Sequence, residues 1–203
     1  MDNLSFIFEK TDNPFLKEQN GSQYDLWGSL TLKYGDKILL ECEWEMHNWI
    51  LSFLDKKEIL ETENYPFEYI NSIAESRDTL FGRIDYENGD DEKIYAEENI
   101  LEEYFPNHYF KLMGIESQSF YIGLNPDGVG EISYYVEDED KYYKYEFDMP
   151  TFVKQADQAI INYLKKFQLT LVSDEEYFKK FFGEEYSKYI GENARLDAMS
   201  FGF

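Results

Sequence analysis

Few residues in this chain are of a type that performs covalent or metal chemistry. There is one cysteine, Cys42, and there are two histidines, His47 and His108. A single thiol forbids an intramolecular disulfide. Two imidazoles and one thiol cannot make a Cys/His zinc site on one chain. Cys42 falls on the apolar face of a predicted strand with Leu40 and Trp44, where a free thiol is far more often a packing group than a nucleophile. His47 follows that strand and can approach Cys42, but two residues at a strand end do not define a catalytic pair. No Gly-x-Ser-x-Gly elbow occurs. Gly123, Gly128 and Gly130 surround Pro126 and Asp127 with no Lys-Ser/Thr after them, so they predict a turn and not a phosphate loop.

Carboxylates are abundant instead. Asp plus Glu number 42 against 19 Lys plus Arg, a net charge of −23. The densest acidic group is Asp85, Glu87, Asp90, Asp91 and Glu92. An EF-hand loop demands glycine at its sixth position and glutamate at its twelfth. Counted from Asp85, Gly89 comes one place early and Ala96 takes the last place, so a charged turn is expected with no metal and no cofactor. Further acidic runs lie at Glu97-Glu98, Glu102-Glu103, Glu137 to Asp140, Glu175-Glu176 and Glu184-Glu185. Two carboxylates suffice for glycoside hydrolysis or metal-assisted hydrolysis. A carboxylate-based hydrolase or metal-dependent enzyme is therefore the alternative function, with no pair singled out.

Binding is the chemistry this charge offers most directly. A strongly acidic surface repels nucleic acid and anionic membranes and attracts basic proteins. Tyr86, Tyr95, Tyr104, Tyr134, Tyr135, Tyr142, Tyr143 and Tyr145 interleave with the acidic runs. Tyrosine gives a large contact area at low entropic cost, while carboxylates steer association. Strand alternation sends about half of such tyrosines to the core. The predicted partner-binding residues are Asp90, Asp91 and Glu92 at one turn and Glu137, Asp138, Glu139 and Asp140 at another. The expected partner is a basic protein, with no nucleic acid and no membrane.

The elements that must carry these groups read as an α+β chain. Hydrophobic residues are 43% and aromatics 19%, too apolar for a disordered chain. Leu4 to Phe8 predicts a strand, and Thr11 to Ser22 a loop. Tyr24, Leu26, Leu30 and Leu32, then Ile38, Leu40, Cys42 and Trp44, alternate across the turn Tyr34-Gly35-Asp36-Lys37. That is a hairpin. Met46, Trp49, Ile50, Phe53 and Leu54 keep helical spacing and predict a helix near 46–60. Thr79 to Tyr86 and Glu92 to Ala96 are expected to pair as strands, with a short helix from Glu97 to Tyr104 ending before Pro106. His108–Ile115, Ser119–Leu124, Val129–Val136 and Lys141–Phe147 predict a meander. Pro150 opens a long helix over 151–168 with the stripe Val153, Ala156, Ile160, Tyr163, Leu164 and Phe167. Ser173 with Glu176 forms a capping box for a helix over 174–190. Runs of strands followed by helices argue an antiparallel sheet packed with helices. One domain is expected over 1–190, with a loose tail over 191–203.

The start Met1-Asp2-Asn3 is acidic, with no apolar stretch behind it, so no secretory signal is expected. No apolar run approaches the ~18 residues of a membrane span, and a cytoplasmic location follows as the expectation. The Trp27-Gly28-Ser29-Leu30-Thr31-Leu32 stretch and the Trp44 to Leu54 strand-to-helix passage resemble small bacterial families of immunity proteins that neutralise polymorphic or contact-dependent toxins. That resemblance implies an acidic α+β inhibitor that binds a basic toxin, often a nuclease, and blocks its active site. A related reading is a DNA mimic that fills a basic groove with carboxylates. No functional residue is carried across.

Overall fold

The structure is a computed structural model; it describes residues 2–14, 26–86, 91–112 and 116–166. The predicted 174–190 helix, its capping box and the 191–203 tail lie outside the described residues. The chain is α+β. In order it runs β1 (Leu4–Lys10), β2 (Trp27–Tyr34), β3 (Lys37–Glu45), α1 (His47–Thr62), α2 (Ile73–Gly82), α3 (Asp91–His108), β4 (Tyr109–Phe110), β5 (Phe120–Leu124), β6 (Gly130–Val136), β7 (Lys141–Phe147) and α4 (Met149–Lys166). Two antiparallel sheets result, one ordered β1-β2-β3 and the other β4-β5-β6-β7. The chain divides into two compact units: Leu4–Leu54 with Val153 onward, and Asp55–Phe152 with the first three residues.

In the first unit the alternation of β1 and β2 builds the core. Phe6 pairs Leu32 and Phe8 pairs Leu30 across the ladder, and all four are buried. Phe6 meets Trp49 and Phe53 of α1 edge-on, at 5.7 and 5.5 Å between ring centres. Such geometry sets the positive ring edge against a negative ring face. Gly28 permits the close approach of α4: a Cβ there would lie 2.3 Å from the Glu9 carbonyl oxygen and 2.5 Å from the Tyr163 hydroxyl. Tyr163 uses that space to donate its hydroxyl to the Leu26 carbonyl at 2.8 Å. β3 is less regular than its alternation suggests. The register passes from Leu32–Leu40 to Lys33–Ile38, skipping Leu39. Ile38 consequently ends half exposed instead of on the core face. Cys42 is half-buried, with its thiol 3.8 Å from the Leu30 carbonyl.

In the second unit β5 to β7 follow the expected meander. Asn125 accepts from the Asp127 and Val129 amides, each at 3.0 Å, and Gly128 supplies the positive φ of 75° that closes the turn. One face of β5 and β6 is apolar: Phe120, Ile122, Leu124, Ile132 and Tyr134, all buried. The opposite face carries Tyr121, Gly123, Glu131, Ser133 and Tyr135, and α2 packs on it.

The helices α2 and α3 replace the hairpin predicted over 79–96. The decisive signal is the capping box Ser72-Ile73-Ala74-Glu75: the Ser72 hydroxyl accepts from the Glu75 amide at 3.1 Å and satisfies an end donor that a strand would not have. The helix expected to stop before Pro106 continues to His108. Pro106 removes one ladder bond, but it is exposed in the last turn, and His108 Nδ1–H donates to the Tyr104 carbonyl at 3.0 Å. The strand predicted over His108–Ile115 starts at Tyr109 because the helix has taken His108; it ends at Phe110, and residues 113–115 lie outside the described residues.

Candidate functional site

The site begins with a buried carboxylate. Glu131 on β6 is fully buried. It accepts the Ile73 amide at 2.6 Å and the Tyr69 hydroxyl. Burial pushes its pKa up, and the Tyr69, Ile73 and Ser133 donors pull it partly back. The Ala74 amide donates to the Ser133 hydroxyl at 3.0 Å. Two free amides at the start of α2 are thereby satisfied from the sheet. An anion at a helix N-terminus also meets the positive end of the helix dipole. These bonds seat α2 on the sheet and set the direction of its next turn.

That turn carries Arg77 and Asp78. The Arg77 guanidinium lies 4.6 Å from the centre of the Phe81 ring and 5.7 Å from that of Tyr121, and its Nη1 is 2.6 Å from Asp78 Oδ1. The Tyr142 hydroxyl donates to the other Asp78 oxygen at 2.8 Å. Arg77 and Asp78 therefore satisfy one another at the edge of an open cavity of about 840 Å³. Helix α3 supplies one wall through Glu102, Phe105 and Pro106, which share a face at i, i+3 and i+4. Phe105 is buried and meets Tyr121 edge-on at 5.9 Å. The opposite wall is residues 116–119, with Tyr109, Tyr121, Tyr135 and Glu137. Gln118 ties this segment down by donating to the Tyr135 carbonyl at 3.0 Å and the Ser119 carbonyl at 2.9 Å. The Tyr109 hydroxyl bonds the Ser119 hydroxyl at 2.9 Å. Burial raises the Tyr121 pKa to about 12, so it stays a neutral wall.

Among the described residues, four carboxylates, Asp78, Glu102, Glu116 and Glu137, and one guanidinium, Arg77, line this groove. Asp78 is already engaged. Glu102, Glu116 and Glu137 are exposed, and their carboxylates make no hydrogen bond or ion pair among the described residues. Concave, partly apolar walls focus the field of such charges and raise the local concentration of cations.

Of the predicted partner-binding residues that the structure describes, Glu137 lines the groove. Glu137, Asp138 and Glu139 form a 3-10 turn after β6, and all are exposed. Asp140 follows at φ 47°, with the Tyr135 hydroxyl donating to it at 2.7 Å. Tyr143 donates to Glu139. The other predicted turn is the start of α3. Asp91 is its first residue, Glu92 is exposed in its first turn, and Asp90 lies outside the described residues. Sequence reasoning did not single out Arg77, Asp78, Glu102 or Glu116: Arg77 and Asp78 sit on α2, in a stretch given no element, Glu102 sits on α3, where a short helix was expected but its acidic pair was one run among several, and Glu116 falls between two predicted strands. The Ser72–Glu75 capping box was the signal that reveals the first of those helices.

The two histidines are separate from the groove lining. His108 is fully buried and its ring stacks on Tyr104 at 3.9 Å. A Cβ on Gly123 would lie 2.6 Å from that imidazole, so glycine is what lets the pair rest on the sheet. Its Nε2 lies 3.9 Å from Glu63 Oε2. Burial lowers the pKa of both His108 and His47 to about 4. Burial likewise pushes the Cys42 thiol up, away from reactivity. Among the described residues, no three His, Cys, Asp or Glu side chains converge on a point fit for a metal ion. No described helix is long and apolar enough to cross a membrane. No family model, no curated protein and no solved structure matches this chain.

Proposed function

We propose that the chain is a protein-binding module whose groove between α2, α3 and residues 116–137 takes a basic segment of a partner, in the manner of immunity proteins that neutralise a basic toxin. The observation that carries this reading is the convergence of three uncompensated carboxylates, Glu102, Glu116 and Glu137, from three separate segments on one aromatic-walled cavity. The overall charge of −23 steers a basic protein toward the molecule from a distance. The groove then supplies contact area: aromatic faces with a carboxylate rim suit the aliphatic stems and charged heads of Lys and Arg. The acidic turn Glu137–Asp140 stands at its edge and meets the partner early.

The test uses a mixed lysine–arginine peptide as probe, titrated onto the full chain between about 50 and 300 mM salt, across which the screening length shrinks about 2.5-fold. Affinity is expected to fall steeply with salt. Reversing Glu137 to Asp140 to lysines is expected to weaken binding at least tenfold. Reversing Asp90, Asp91 and Glu92 is expected to act only through long-range steering, and so more weakly. Indifference to salt and to both reversals would show that the acidity serves solubility alone. For the toxin reading, the product of the gene immediately upstream is the partner to co-express. Growth that it arrests should be restored by this chain and not by its Glu137→Lys variant. Growth that stays arrested with the unaltered chain present contradicts the toxin assignment.

A further inference from the structure

We propose that the groove is selective for arginine: its occupant is the guanidinium of an arginine side chain that the partner presents. This rests on the groove being the basic-partner site, and it narrows the ligand from any cation to a planar one.

The molecule's own Arg77 shows what this surface does with a guanidinium. It lies over Phe81 and Tyr121 at 4.6 and 5.7 Å and pairs with a carboxylate at 2.6 Å. The rest of the groove repeats those ingredients without the cation. Tyr109 and Tyr135 are half-buried in its wall. Among the described residues, no cation lies over either ring. Both rings are held in place by their hydroxyls, Tyr109 on Ser119 at 2.9 Å and Tyr135 on Asp140 at 2.7 Å. The three free carboxylates line the same cavity.

Arginine and lysine differ in what they gain here. An ammonium is a compact, strongly hydrated point charge, and it gains chiefly from the carboxylates. A guanidinium is more weakly hydrated, stacks flat on an aromatic ring and reaches a carboxylate with two parallel donors. Fixed tyrosine rings beside unpaired carboxylates reward the second geometry.

Two fluorescent decapeptides test this, equal in length and net charge, one built of arginine and glycine and the other of lysine and glycine. At fixed salt the arginine peptide is expected to bind the full chain about tenfold more tightly, the scale of a desolvated cation–π contact with bidentate pairing. Tyr135→Leu is expected to reduce arginine-peptide affinity severalfold and to leave lysine-peptide affinity within twofold. Tyr135→Phe keeps the ring and is expected to keep most of the preference. Equal binding of the two peptides by the unaltered chain would overturn the arginine assignment and leave the basic-partner reading standing, and that comparison needs no variant to fold. Failure of both peptides to bind at low salt would overturn both.

Discussion

The β1–β2 core face and the α2-facing side of β5 and β6 are built in opposite ways. The β1–β2 face is lined by Leu4, Phe6, Phe8, Leu30 and Leu32, and the hydroxyl that reaches it, that of Tyr163, is answered by the Leu26 carbonyl. The α2-facing side of β5 and β6 carries Glu131 and Ser133, both fully buried, between Tyr121 and Tyr135. An apolar face needs only to exclude water and fill space. A polar face must satisfy every donor and acceptor, and so it dictates where its partner helix begins. The contrast explains why the groove lies where it does. Glu131 and Ser133 pin the start of α2, and the first free turn beyond that anchor presents Arg77 and Asp78.

The largest effect expected from this contrast belongs to the apolar unit. Phe53→Ala should cost about 4 kcal/mol, the lost transfer of a buried ring plus its cavity. Equilibrium urea unfolding measures it, and a loss below about 1 kcal/mol would mean that the core around Phe6 is not packed as described.

Next is a substitution that improves hydrophobicity and should still harm the fold. Glu131→Leu leaves the Ile73 amide and the Tyr69 hydroxyl without their acceptor. At 1–3 kcal/mol for each orphaned donor, the cost should be about 3 kcal/mol. A neutral or stabilising result would erase the distinction between the two faces. The same carboxyl has a pKa raised by burial. The folded chain therefore holds that proton more tightly than the unfolded chain, and Glu131 contributes stability in acid that is lost as pH rises through its folded pKa.

The histidines carry the opposite sign. Both have pKa values lowered to about 4 from the ordinary 6.5. The folded chain binds fewer protons, so their contribution is complete above pH 6.5 and lost as pH falls toward 4. Replacing His108 by Gln should remove roughly 2–3 kcal/mol of the acid destabilisation that unfolding curves show between these limits. An unchanged pH profile would mean that His108 is not buried neutral beside Tyr104.

The smallest effect is that of divalent ions. Calcium or magnesium at micromolar concentration should leave the melting temperature unchanged apart from ionic screening. A rise of several degrees would place a specific site among the acidic turns.

How far the sequence reaches follows the same division. The hairpin of β2 and β3, the β5 to β7 meander and α4 are legible because each carries a regular apolar pattern in its sequence, such as the buried Val153, Ala156, Ile160, Tyr163 and Leu164 of α4. Helix α2 is hard to read by periodicity because its inner side is mixed: Ile73, Leu80 and Phe81 pack on an aromatic core, but the fully buried Ser76 and the ring-packed Arg77 lie between them and break the stripe. α3 is crowded with exposed acids and carries Pro106 in its last turn. The groove shared these obstacles. Its walls come from α2, α3, β4, residues 116–119, β5 and the end of β6, and no local pattern of residues announces that convergence.

The central claim is that the groove, and not acidity in general, receives the basic partner. Backbone amide shifts of the isotope-labelled chain, followed by NMR as the arginine–glycine peptide is added, test it most directly. Shifts are expected at Glu102, at Ser117 to Tyr121, at Tyr135 and at Glu137, with β1 to β3 silent. Shifts concentrated on β1 to β3, or spread evenly over every acidic run of the chain, would contradict it.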